Sequence, residues 1–142
     1  MDKRAHAGDT LDIRIYYEDT DCGGIVYYAN YLKYFERART QYLEDRGLSV
    51  TALMKAGRVF VVVRAEVDYR TPAYYGDTLQ IETIISEMSP AAITFSHMVR
   101  ERQSRRLVAE GAARLAVTDG NGKVKRLDKA TVAALQSGRE RC

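Results

Sequence analysis

The chain predicts an α+β domain in which one long amphipathic helix lies across an antiparallel sheet. Three observations predict it. Apolar residues between about Tyr27 and Arg46 recur at three- and four-residue steps and form one stripe. Four segments beyond residue 58 read as strands. The links between those strands are too short for parallel crossovers, which favours antiparallel pairing. A length of 142 residues predicts a single domain over 1–142. A domain of that size buries about two-thirds of its unfolded surface and holds a core without staples.

In chain order, residues 1–10 are polar and predict a loose arm. Leu11 to Glu18 places Ile13 and Ile15 on one side and predicts a strand. Asp19 to Gly24 is a turn-rich break. The long helix follows, its stripe made of Tyr28, Tyr31, Leu32, Phe35, Ala38, Tyr42 and Leu43, with Gly47 as its stop. Ser49 to Ala56 predicts a short second helix. Val59 to Tyr69 is rich in β-branched residues and is ended by Pro72. Thr78 to Met88, Ala91 to Glu101 and Leu107 to Val117 alternate apolar and polar residues as half-buried strands do. Asp119-Gly120-Asn121-Gly122 signals a turn. Roughly 120–142 is a C-terminal extension, with Leu127 to Gln136 a short helix or an irregular tail.

Composition excludes several classes of function. The net charge of +3 is spread along the chain, so no basic stripe interleaved with aromatics suits a nucleic acid. That balance still favours anionic ligands. Cys22 and Cys142 form neither a disulfide framework nor a metal-ligand spacing, which fits a reducing, cytoplasmic compartment. No secretory signal and no apolar run of membrane-spanning length is visible. Tyrosine is the one enriched type. Six of the ten, Tyr16, Tyr17, Tyr27, Tyr28, Tyr31 and Tyr34, fall within nineteen residues. Tyr combines apolar area with a polar tip, so a pocket wall or a subunit interface is expected there.

The turn between strand and helix holds the candidate chemistry. A helix N-terminus offers unpaired backbone N–H groups and partial positive charge. Such groups stabilise an oxyanion. Asp21, just before the helix, can attack a carbonyl or activate water. Gly24 lets the backbone approach a ligand closely. The same residues also make an ordinary capped helix start.

The run RIYYEDTDCGGIVYYANYLKYFERARTQYLEDRG resembles the signature of the 4-hydroxybenzoyl-CoA thioesterase-like family, and looks most like its YbgC-type, Tol-Pal-associated acyl-CoA thioesterase branch. Tyr17, Asp19, Asp21, Gly24, Val26, Tyr28, Asn30, Tyr31 and the helical Glu36 to Arg39 carry the likeness. VDYRTPAYYGDTLQIET resembles the family's later strand pair, so the likeness spans roughly residues 11 to 120. The resemblance implies a hotdog fold, a long helix wrapped by a curved antiparallel sheet, in dimers or tetramers. It implies an acyl-CoA thioesterase needing no cofactor, with CoA as part of the substrate. The family's catalytic acid falls on Asp21, as nucleophile or general base, and its oxyanion donor on the backbone N–H of Tyr28. Gly24, Tyr27, Tyr31 and Glu36 are the implied substrate-binding residues. Asp19 is expected to stabilise the turn. Members of the YbgC branch often carry His where this chain has Tyr28, which leaves the backbone role in place and removes a His acid–base role. The turn Glu87 to Ala91 lacks the basic cluster that some relatives use for CoA phosphates.

Two alternatives stay open at this point: hydrolysis of acyl groups on an acyl carrier protein, and a hotdog scaffold that binds an acyl carrier without turnover. A hotdog dehydratase would use a His–acid pair, and the Asp21 region has no His. His97 is expected to be a packed strand residue and Cys22 a small turn residue. No G-x-S-x-G elbow surrounds any serine.

Overall fold

The computed structural model describes residues 9–137. Residues 1–8, with His6, and Cys142 lie outside the described residues. Strand β1 is Asp9–Arg14, followed by a 3₁₀ turn at Tyr17–Asp19. Helices α1 and α2 are Asn30–Asp45 and Val50–Lys55. Strands β2, β3, β4 and β5 are Val59–Tyr69, Thr78–Ser89, Ala92–Glu101 and Leu107–Thr118, and helix α3 is Lys129–Ser137. The strands form one antiparallel sheet in the order β1-β3-β4-β5-β2. With α1 packed across it, this is the hotdog arrangement.

Several boundaries differ from expectation. Asp9 and Thr10 are not part of a loose arm, because they pair with Thr83 and Glu82 of β3. The first strand stops at Arg14 rather than Glu18, since the backbone folds into the 3₁₀ turn. Helix α1 starts at Asn30, and Tyr27 to Ala29 form a turn closed by the Asn30 N–H on the Tyr27 carbonyl at 2.9 Å. Tyr28 and Leu32 leave the expected stripe, being 61% and 43% exposed, whereas Tyr34 is buried. One residue turns a helix by about 100°. A stripe centred on Tyr31, Phe35, Ala38 and Tyr42 therefore points Leu32 sideways. The segment at Leu127 to Gln136 is helical over Lys129–Ser137, and Leu127 and Leu135 are buried with Tyr42 and Phe95.

The alternation read from the sequence sets the inner face of the sheet. Leu79, Ile81, Thr83 and Ile85 of β3 are buried, as are Ile93, Phe95, His97 and Val99 of β4. Burying each such apolar side chain contributes roughly 1.5–3 kcal/mol. On β5 the inner row is Ala109, Gly111, Ala113, Leu115 and Val117. Gly111 is a notch. A Cβ there would stand 2.3 Å from the Glu66 carbonyl and 2.7 Å from the Phe35 ring. The ring uses that space and stacks on His97 at 4.4 Å and 11°. At the far end of α1, Arg46 bonds Asp9 of β1 at 2.6 Å and lies over the Tyr42 ring.

Two predictions follow from this packing. Gly111→Ala is expected to destabilise the fold by about 2–3 kcal/mol, because one of its clashes is with backbone that has no room to yield; urea unfolding measures this. The second concerns His97, which the structure packs in the core with Thr83 Oγ1 3.0 Å from its Nδ1. Burial first, and the Arg39 charge second, push its imidazole down from 6.5 to about 3. The native state thus holds it neutral where the unfolded state protonates. Its contribution to stability is complete above pH 6.5 and falls as pH drops toward 3, by about 1.4 kcal/mol per unit. His97→Gln should remove that part of the slope between pH 7 and pH 5. Identical slopes in the two proteins would place the acid sensitivity elsewhere.

Candidate active site

The chain beyond β1 is held by Ile15, whose N–H donates to the Asp77 carbonyl at 2.8 Å. It then turns at Tyr16 to Thr20. Asp19 organises this turn. Its Oδ2 accepts the Tyr16 N–H at 2.8 Å. Its carbonyl accepts both the Tyr27 N–H at 2.9 Å and the Asn30 Nδ2 at 2.8 Å. One peptide oxygen therefore ties the turn to the start of α1. The side chain of Asp19 thus braces the turn it sits in.

Asp21 lies one step further, in a tight reversal. Its N–H donates to the Ile25 carbonyl at 2.9 Å, and its own carbonyl accepts the Gly24 N–H at 3.0 Å. Its Oδ1 accepts the Gly23 N–H at 2.8 Å, while Oδ2 has no bond among the described residues. The side chain is exposed. Gly24 has φ +82°, the left-handed region in which a side chain costs about 1–2 kcal/mol. Thr20–Val26 and Ile25–Tyr74 bridges then anchor the returning strand. The reversal thus ends in extended backbone at Ile25 and Val26, not directly in the helix.

Beyond Val26 come Tyr27 and Tyr28, their rings 4.9 Å apart. The Tyr27 phenol is held above its ordinary range, chiefly by the Tyr28 side chain against it, with the Asp21 carboxylate adding to the effect. The backbone N–H groups of Tyr28 and Ala29 donate to no acceptor among the described residues. The Tyr28 carbonyl receives no backbone amide, because the Leu32 N–H goes to Ala29 at 3.2 Å. The Tyr69 hydroxyl donates to it instead, at 3.0 Å.

A pocket of about 280 Å³ opens beside these amides, lined chiefly by Ile25, Val26, Tyr28, Tyr31, Tyr69 and Pro72. The lining is apolar with aromatic edges: Tyr69 meets Tyr31 at 5.6 Å and Tyr28 at 6.5 Å. Burial, with Tyr69 behind it, pushes the Tyr31 phenol up to about 12, so its hydroxyl stays neutral at physiological pH. Of the residues expected to bind substrate, Tyr31 lies on the wall of this pocket. Tyr27 packs on Tyr28 at its rim. Gly24 shapes the Asp21 reversal rather than the wall. Glu36 is not on the wall; it sits on the exposed face of α1 and accepts the Thr40 hydroxyl at 2.7 Å.

Two residues outside the expected set matter to this geometry. Asn30 was visible only as part of a motif, and its cross-link to Asp19 spans eleven residues. Tyr69 ends β2. Nothing in the sequence joined it to Tyr28. The arginines of the β4–β5 hairpin are engaged elsewhere. Arg102 bonds Asp12 at 3.1 Å, and Arg106 bonds Asp77 at 3.3 Å. A second hollow of about 260 Å³ lies on the outer face of the sheet among Glu66, Asp68, Glu82 and Glu110. Four carboxylates repel anionic ligands.

Asp21 is not on the wall of this pocket; its carboxylate is tied to the rim only through its charge on the Tyr27 phenol, while the unpaired Tyr28 amide belongs to a residue of the wall. Among the described residues no group of acids, His and Cys is placed to hold a metal ion. The profile of the Thioesterase-like superfamily matches residues 16–135 of the chain. The acyl-CoA thioesterase YbgC of Haemophilus influenzae is 38% identical over 119 residues, which cover 83% of this chain and 85% of the relative. The crystal structure of the hypothetical protein TT1821 of Thermus thermophilus superposes with a TM-score of 0.84 at 30% identity, over 90% of this chain and 97% of that one. That of a probable thioesterase from Bartonella henselae does so with a TM-score of 0.79, also at 30% identity, over 85% and 99%.

Proposed function

The chain belongs to the thioesterase-like superfamily, and from that membership we propose that it is an acyl-CoA thioesterase with Asp21 as its catalytic carboxylate. The observation that carries the assignment of residues is the free Asp21 Oδ2 near a helix start whose Tyr28 and Ala29 amides are unpaired. In a thioester the carbonyl carbon is attacked by water that Asp21 deprotonates, or by Asp21 itself. The carbonyl oxygen gains negative charge, which the Tyr28 N–H stabilises within the positive end of α1. Collapse breaks the C–S bond and expels the CoA thiolate. If Asp21 attacked, water then cleaves the acyl-aspartyl anhydride. Both routes consume one water and yield a carboxylic acid and CoA. A thiolate leaves readily, so the chemistry needs neither a strong general acid nor a cofactor.

The pocket beside Tyr28 suits the acyl group, since its walls are apolar and aromatic. The CoA moiety remains outside, where the net charge of +3 favours an anionic ligand. Partners follow from strand β2. It is an edge strand of eleven residues with Val61, Val62 and Val63 exposed at 41%, 46% and 57%. Long apolar edges pair with another chain unless blunted. A homodimer across β2 covers these valines and brings a second chain close to Tyr69 at the end of the same strand. No helix among the described residues is long and apolar enough to cross a membrane. Two cysteines without a disulfide pattern favour the cytoplasm.

Thiol release from short aliphatic and aromatic acyl-CoAs tests the assignment. Asp21→Asn should lower kcat by on the order of 10²- to 10⁴-fold, the range for loss of a general base. Equal rates for the two proteins would remove Asp21 from the chemistry, and no release by wild type across the panel would favour a binding protein. Tyr28→Phe should keep most of the activity, because the donor is its backbone N–H. A near-complete loss with the fold intact would shift the role to the hydroxyl.

A further inference from the structure

We propose that the Ala29 N–H is a second donor of the thioester site and that Tyr69 is its positioning residue, fixing through its hydroxyl the peptide that joins Tyr28 to Ala29. The inference rests on the assignment of the Tyr28 region as the oxyanion site. A peptide unit is planar and trans, so its C=O and N–H point in opposite directions. Holding the oxygen therefore aims the hydrogen. The N–H groups of Tyr28, Ala29 and Tyr31 donate to no acceptor among the described residues, and the first two precede the helix. The Tyr28 N–H shares its peptide with the Tyr27 carbonyl, which accepts the Asn30 N–H at 2.9 Å. The Ala29 N–H shares its peptide with the Tyr28 carbonyl, whose partner is Tyr69 at 3.0 Å.

The second of these bonds is the unusual one. In a regular first turn the Tyr28 carbonyl would accept the Leu32 N–H, but that amide closes on Ala29. The Tyr28–Ala29 peptide is thus released from the helical ladder and would be free to rock. A carbonyl that accepts a bond also strengthens its own N–H as a donor, as hydrogen-bonded chains polarise one another. The phenol that holds it comes from the end of β2, forty-one residues away. That strand end is itself fixed, since the Arg70 N–H donates to the Val108 carbonyl at 2.8 Å. The Tyr69 ring meets Tyr28 and Tyr31 edge to face, contacts that bring its hydroxyl to the Tyr28 carbonyl. Tyr69 touches no reacting atom; it acts through the backbone of Tyr28 and Ala29.

The test is Tyr69→Phe, which keeps the ring on its neighbours and removes one half-exposed hydroxyl. In the thiol-release assay kcat should fall about tenfold with KM unchanged, since a bond of this kind is worth about one decade in rate. A purely space-filling role would leave kcat alone. The second readout is the infrared band of a carbonyl-labelled acyl-CoA bound to Asp21→Asn. Adding Tyr69→Phe to that variant should move the band back toward its frequency in solution, because one donor has lost its aim. An unchanged kcat or an unmoved band overturns the inference. Failure of the underlying assignment looks different: wild type then releases no thiol, or Asp21→Asn remains fully active.

Discussion

The close approach at Gly111 sets the depth at which α1 lies on the sheet. The Phe35 ring comes to 2.7 Å from where a Cβ would be, and stacks on His97 at 4.4 Å. The ring fits the notch left by the missing Cβ, which fixes the height of the helix above β4 and β5. Tyr31 lies on the same side one turn earlier, and Tyr34 directly precedes Phe35; both are buried with it. The N-terminus of the helix is thereby carried to the end of the sheet where β1 and the 70–77 link also emerge. Arg46 closes the opposite end on Asp9.

Around that fixed helix start the site is made by a few long-range bonds. The Asp19 carbonyl gathers Tyr27 and Asn30, and Tyr69 gathers the Tyr28 carbonyl. These bonds do what a regular helical cap would do, but they leave the Tyr28 and Ala29 amides without an acceptor among the described residues. A helix capped by its own side chains would have satisfied those donors and closed the site. One oxygen of the Asp21 carboxylate stays without a bond among the described residues. Its neighbour Asp19 supplies the side-chain bond to the Tyr16 amide, so Asp21 spends only one oxygen, on Gly23.

Much of this was legible in the sequence because it depends on local periodicity. Alternation in β3, β4 and β5 named the buried residues, since a pleated strand sends every second side chain to one face. The turn at Asp119 closes as its composition predicts, with Oδ1 of Asp119 accepting the Asn121 and Lys123 amides. The helix was legible apart from its first turn, where Ile25 and Val26 return as bridging strand before the helix begins. Tyrosines at 27 and 28 extended the apolar pattern past the true start, because hydrophobicity does not distinguish a pocket rim from a buried stripe. Glu36 was placed by resemblance alone and faces solvent on α1, away from the pocket wall.

The sequence by itself determined the α+β class, the inner face of the sheet and the position of Asp21 in a glycine-bearing turn before a long helix. These rest on residue spacing, which a single chain carries openly. Only the tertiary structure decided which strand neighbours which, with β2 crossing to pair β5 rather than β3. That crossing delivers Tyr69 to the helix start and leaves the Val61 to Val63 edge uncovered. Contacts between residues forty positions apart have no local signature, because they follow from how the whole sheet twists and closes around the helix.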